Sequence, residues 1–76
     1  MVTAYVLLIV KPGEESKVSE KLLKMKEIKD VSVVYVEYDI VAKVEKPTME
    51  ELQNFLIKSI RAMDEVERTS TMIALK

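Results

Sequence analysis

Residues 33–45 read VVYVEYDIVAKVE, thirteen positions that are all β-branched, aromatic or charged except Ala42, without a Gly or Pro. Strands usually end after about 5–6 residues, so this stretch has to hold two strands and the turn that joins them. Asp is depleted in strands and favoured in turns, which places the turn over residues 36–39 and leaves strands over 31–36 and 40–45. A hairpin here fixes the plan of the rest, because each flank has room for one helix and one further strand.

Both flanks carry those signals. Val2 to Val10, VTAYVLLIV, is β-branched and apolar at odd and even positions alike, the pattern of a central strand with both faces covered. Pro12-Gly13 ends it. Val18, Leu22 and Met25 then recur at helical spacing, with Leu23 and Ile28 widening the stripe and Glu14-Glu15 near the positive helix N-terminus, which predicts an amphipathic helix over about 14–28. After the hairpin Pro47 stops the third strand. Thr48 and Glu51 have the S/T-x-x-E spacing of a capping box, and Met49, Leu52, Phe55, Leu56, Ile60 and Met63 predict a second helix over about 49–63. A fourth strand closes the chain over 66–75.

The order βαββαβ is the ferredoxin-like split, an α+β fold. Right-handed crossovers put both helices on one face of a four-stranded antiparallel sheet whose first and third strands are central. The other face is left bare. A chain of 76 residues buries about 60% of its unfolded surface, yet 49% of these residues are hydrophobic. Another subunit is the simplest cover for the bare face, and residues 1–76 are expected to form one domain that associates with itself, sheet to sheet.

Composition removes several functions. Cys and His are both absent, which excludes disulfides and thiolate chemistry and makes a zinc site or hydrolytic triad improbable. The net charge of −1 offers phosphate backbones no long-range attraction. Tyr5, Tyr35, Tyr38 and Phe55 would need interleaved basic residues to stack RNA, and only Lys43 and Arg68 fall within strands, so no direct nucleic-acid partner is expected. The nine-residue apolar N-terminus is far short of the roughly 20 residues a spanning helix needs. A cytoplasmic protein without membrane contact, cofactor or metal is the expectation. Ten Glu and ten Lys against one Gln and one Asn resemble the balance in proteins from hot environments.

Two groups of residues can do chemistry. The acids Glu37, Asp39 and Glu45 can hold a cation or an ammonium group, or Asp39 can serve the turn while Glu37 is merely solvated. Thr69, Ser70 and Thr71 put hydroxyls on both sides of the last strand, with Thr69 and Thr71 sharing one side; they can donate to a carboxylate or simply express β-propensity.

The segments AYVLLIVKPG (4–13), EYDIVAKVE (37–45) and VERTSTMIAL (66–75), taken together and in register, resemble the RAM domain, the effector-binding and oligomerisation half of the Lrp/AsnC family of transcriptional regulators. Since Met1 leads directly into the first strand, the resemblance is to a stand-alone RAM protein without the helix-turn-helix domain. The resemblance implies a sheet-to-sheet dimer of the dimeric α+β barrel kind, assembly of dimers into larger rings, and an amino-acid effector bound between dimers near the Tyr-Asp hairpin. It carries the ligand site onto Val36, Glu37, Tyr38 and Asp39, with Thr69 and Thr71 contributing, and makes full-length Lrp/AsnC regulators further partners. Where the family pattern has glycine two residues before the Tyr-Asp pair and just before the last strand, this chain has Val36 and Glu65. A β-branched residue resists the φ > 0 and close approach that glycine permits, so weak ligand binding is expected. The rival readings are a purely structural assembly protein with a decayed ligand site and a small ferredoxin-like enzyme; the missing His and the lack of a glycine-rich phosphate loop count against the enzyme.

Overall fold

The computed structural model describes residues 1–35 and 37–75. Its elements are β1 (Val2–Val10), α1 (Glu15–Leu23), β2 (Ile28–Val33), β3 (Ile40–Lys46), α2 (Met49–Phe55), which continues into a π-helical turn at Leu56–Ile60, and β4 (Val66–Ala74). The sheet order is β2-β3-β1-β4, antiparallel at every pairing, with β1 and β3 central.

The register sorts the side chains. Ala4, Val6 and Leu8 lie opposite Val44, Ala42 and Ile40, and all six are fully buried. Directly opposed residues share a face, so these form the floor of the core, and Val18, Leu22, Leu52, Phe55 and Ile60 from the helices close over it. Thr3, Tyr5, Leu7 and Ile9 project from the opposite face beside Val41 on β3 and Met72 on β4. Met72 is 52% exposed and Tyr5 37%. This is the bare face that the pattern of β1 foretells, apolar along β1 and at Val41 and Met72, with Lys43, Glu45, Ser70 and Arg68 beside them.

Several boundaries differ from the sequence reading. Helix α1 ends at Leu23, five residues early, and Ile28 belongs to β2. Ile28 is buried in either role, so the apolar pattern could not separate them. The Lys24 N–H closes the last turn of α1 on the Lys21 carbonyl at 3.3 Å, and the Met25 and Ile28 N–H groups then donate to the Leu22 and Met25 carbonyls in tight turns. As a result β2 begins and ends three residues earlier than expected, and the connection to β3 spans six residues instead of three. Helix α2 starts as expected: the Glu51 N–H donates to Thr48 Oγ1 at 3.2 Å, and the Thr48 hydroxyl reaches Glu51 Oε2 at 3.3 Å. No helix is long and apolar enough to cross a membrane among the described residues.

Candidate functional site

The β2–β3 connection is pinned to the end of β1 by Asp39. Its carbonyl accepts from the Val34 N–H at 2.8 Å, its own N–H donates to the Leu8 carbonyl at 2.9 Å, and its Oδ2 accepts from the Val10 N–H at 2.9 Å. The side-chain oxygen thus stands in for a main-chain carbonyl where β1 outruns β3. Beside it Tyr38 is half-buried and Glu37 exposed, while Tyr35 stands 94% exposed. Val36 lies outside the described residues. Glu45 does not join these acids: it sits near the far end of β3, with Oε2 3.8 Å from Lys43 Nζ. No metal-binding group of three or more His, Cys, Asp or Glu occurs among the described residues.

Thr69 and Thr71 lie opposite Leu8 and Val6 and so belong to the helix-covered side of β4. There α2 and its π turn leave part of β4 uncovered, and a groove of about 640 Å³ opens, lined by Gln53, Leu56, Ile57, Arg61, Val66, Glu67, Arg68, Thr69 and Thr71. That volume falls within the usual range of small-ligand sites, roughly 300–1,000 Å³. The hairpin residues Glu37, Tyr38 and Asp39 are not part of its lining. One chain therefore presents the expected site as two separate halves. The α2 side of the groove escaped the sequence reading, although Ile57, 57% exposed on the otherwise polar flank that carries Gln53 and Arg61, was its available signal.

Glu65, where the family pattern has glycine, ties α1 to the loop ahead of β4. Its Oε2 lies 2.8 Å from Lys21 Nζ and 3.5 Å from Lys17 Nζ, and its carbonyl accepts from the Lys11 N–H at 2.9 Å. The Lys21 hydrogen bond, helped by the residue's own backbone N–H and by Lys17, holds the carboxyl down at about 2.

A four-stranded antiparallel sheet with both helices on one face, an uncovered opposite face and a mixed polar and apolar groove at its β4 edge defines a ferredoxin-like domain. The model of the Lrp/AsnC ligand binding domain matches residues 3–76, and the chain belongs to that family. It is 41% identical over 75 residues to the HTH-type transcriptional regulator FL11 of Pyrococcus furiosus, covering 99% of this chain and 49% of that protein. A similar match to FL11 of Pyrococcus horikoshii, at 42% identity, covers 48% of that relative. The chain thus spans about half the length of the curated relatives it matches. Among solved structures, FFRP-DM1 is similar with a TM-score of 0.97 at 49% identity, covering 99% of this chain and 100% of that one. Escherichia coli AsnC follows with 0.93 at 28%, covering 99% and 51%.

Proposed function

We propose that this regulatory ligand-binding domain senses an amino acid and converts its binding into a change of assembly. The observation that carries the reading is the division of the site: the hydroxyls of Thr69 and Thr71 line a groove on one edge of the chain, while Glu37, Tyr38 and Asp39 stand on a hairpin outside it. A second copy that brings its hairpin to this groove would complete the site, and a ligand held there would favour the assembled state by its differential affinity. Tyr5, Leu7, Ile9, Val41 and Met72 support a sheet-to-sheet dimer as the basic unit, since covering them removes apolar area from water at about 25 cal/mol per Å². On this reading the partners are further copies of the chain and full-length regulators of the same family, the site is cytoplasmic, and the domain neither catalyses a reaction nor contacts DNA, because both helices are engaged in the core.

The test joins a thermal-shift screen of the twenty amino acids to native mass measurement. An amino acid that raises the melting temperature and alters the oligomer distribution supports the reading, whereas a monomer near 8.7 kDa at micromolar concentration that answers none of them refutes it. Leu7→Glu on the open face should dissociate the dimer without unfolding the chain. Leu8→Glu and Val6→Lys instead strike fully buried core positions and should unfold it.

The bond from the Val10 N–H to Asp39 Oδ2 favours a second reading, an assembly protein whose ligand site has decayed, since one oxygen of the candidate ammonium-binding acid is already occupied. Calorimetry separates the two. Amino-acid heat that grows in Val36→Gly and vanishes in Asp39→Ala supports sensing, and no heat from any amino acid with the wild type or Val36→Gly leaves assembly alone.

A further inference from the structure

At its C-terminal end β1 loses the regular ladders on both sides. Pairing with β3 stops at Leu8 and Ile40, and pairing with β4 shifts between Ile9 and Val10, which lie opposite Arg68 and Val66 and leave Glu67 over as a bulge. Two bonds from consecutive residues then hold the end of the strand. The Val10 N–H donates to Asp39 Oδ2 at 2.9 Å, and the Lys11 N–H donates to the Glu65 carbonyl at 2.9 Å. Successive N–H groups of an extended strand point to opposite neighbours, so one bond grips the hairpin on the β3 side and the other grips the loop ahead of β4.

Both bonds pivot on one residue. Peptide units are planar, so only the φ and ψ of Val10 lie between the two N–H groups, and a rotation there that releases one swings the other out of line. The chain beyond has no slack to absorb such a rotation. Lys11 precedes Pro12, which disfavours the helical region at Lys11, and the Lys11 carbonyl accepts from the Glu14 N–H at 3.0 Å across the turn that Gly13 makes at φ 84°. Helix α1, which follows, is tied back to Glu65 through Lys21 at 2.8 Å and Lys17 at 3.5 Å. Glu65 thus holds β1 with its carbonyl and α1 with its carboxylate.

We propose that the end of β1 is a clasp that couples the hairpin to the loop ahead of β4, so that releasing Asp39 loosens Glu65 and releasing Glu65 loosens Asp39. The two partners of the clasp stand in the two halves of the divided site: Asp39 beside Glu37 and Tyr38, and Glu65 directly before Val66 and Glu67 of the groove lining. The coupling stands on contacts within one chain. Its use, that a hairpin seated on a neighbouring copy stiffens the groove edge of its own chain, rests on the sensing reading.

The experiment is amide hydrogen exchange, followed by NMR, on the wild type, Asp39→Ala, Glu65→Ala and the control Glu27→Ala, which removes the ion pair to Lys46 at the opposite end of the sheet. Rates are taken relative to core amides such as Val6 and Val44, which corrects for any change in global stability. In Asp39→Ala the Lys11 N–H, whose own acceptor is untouched, should exchange about fivefold faster or more. In Glu65→Ala the Val10 and Val34 N–H groups, whose acceptors both belong to Asp39, should quicken by a similar factor, and Glu27→Ala should change none of the three. Wild-type rates at Lys11 in Asp39→Ala, or at Val10 and Val34 in Glu65→Ala, overturn the clasp and leave amino-acid sensing standing, as does an equal effect in Glu27→Ala. Either variant decides by itself if the other fails to fold. A wild type that answers no amino acid removes the use of the clasp without altering the exchange result.

Discussion

The two halves of the molecule, β1-α1-β2 and β3-α2-β4, follow one plan and end differently. In the first, α1 is a regular helix, and the strand it leads to presents Ile28 and Val31 opposite Val44 and Ala42 on the core side. In the second, α2 loosens into a π turn, and the corresponding side of β4 presents Thr69 and Thr71 opposite Leu8 and Val6. The first half closes its core with hydrocarbon, while the second leaves hydroxyls, a guanidinium and open volume. The departure from apolar packing is thus confined to one of two similar halves, where Thr69 is half-buried and Thr71 exposed.

If the halves differ at the groove but not in the core, the largest effects should be equal on both sides. Leu22→Ala and Leu52→Ala remove fully buried side chains, one from each helix, and each should cost about 2–5 kcal/mol in urea unfolding. A Leu52→Ala cost well below that of Leu22→Ala would mean that the second half is loose throughout. Next in size, Asp39→Ala should cost about 1–3 kcal/mol by the same measurement, because the Val10 N–H loses its acceptor. Hydrogen exchange should show the opening confined to the hairpin and the end of β1.

The helix starts give a smaller contrast. Thr48 caps α2 through its side chain, whereas Glu14 at the start of α1 makes no side-chain cap bond. Thr48→Ala should lose about 1 kcal/mol, and Glu14→Ser should gain a fraction of that. Smallest is the link between the halves. Because folding lowers the Glu65 carboxyl from its ordinary 4.5 to about 2, the native state binds fewer protons there than the unfolded chain. Its contribution is complete above pH 4.5 and is lost as the pH falls toward 2. Urea midpoints followed through that window should decline less steeply in Glu65→Gln than in the wild type.

The plan of the fold was legible in the sequence wherever one pattern admitted one structure. VTAYVLLIV could only be a central strand, and Thr48 with Glu51 could only start a helix. The hairpin had to fall between the two halves. The end of α1 was not legible, because Ile28 satisfies a helical stripe and a strand equally well. Nor was the π turn, since Leu52, Leu56, Ile60 and Met63 keep the spacing of an unbroken helix. At the candidate site, Thr69 and Thr71 showed themselves as a run of hydroxyls. The pairing of Asp39 with Val10, like that of Glu65 with Lys21, joins positions too far apart in the chain for any local pattern to reveal.

The place of β1 between β3 and β4 also bears on how the protein is made. Its last residue, Val10, leaves the ribosome 56 residues before Val66, the first residue of the strand that covers its second edge. At about 5–20 residues per second that delay is roughly 3–11 seconds. Until β3 is made both edges of β1 lack a partner, and from then until β4 one edge still does, which leaves the most apolar segment of the nascent chain open to strand-to-strand aggregation. The sheet is therefore completed only near the end of translation of this domain, and a ribosome stalled between residues 46 and 66 would carry a nascent chain more prone to aggregate than one stalled beyond residue 74 with the same residues clear of the exit tunnel.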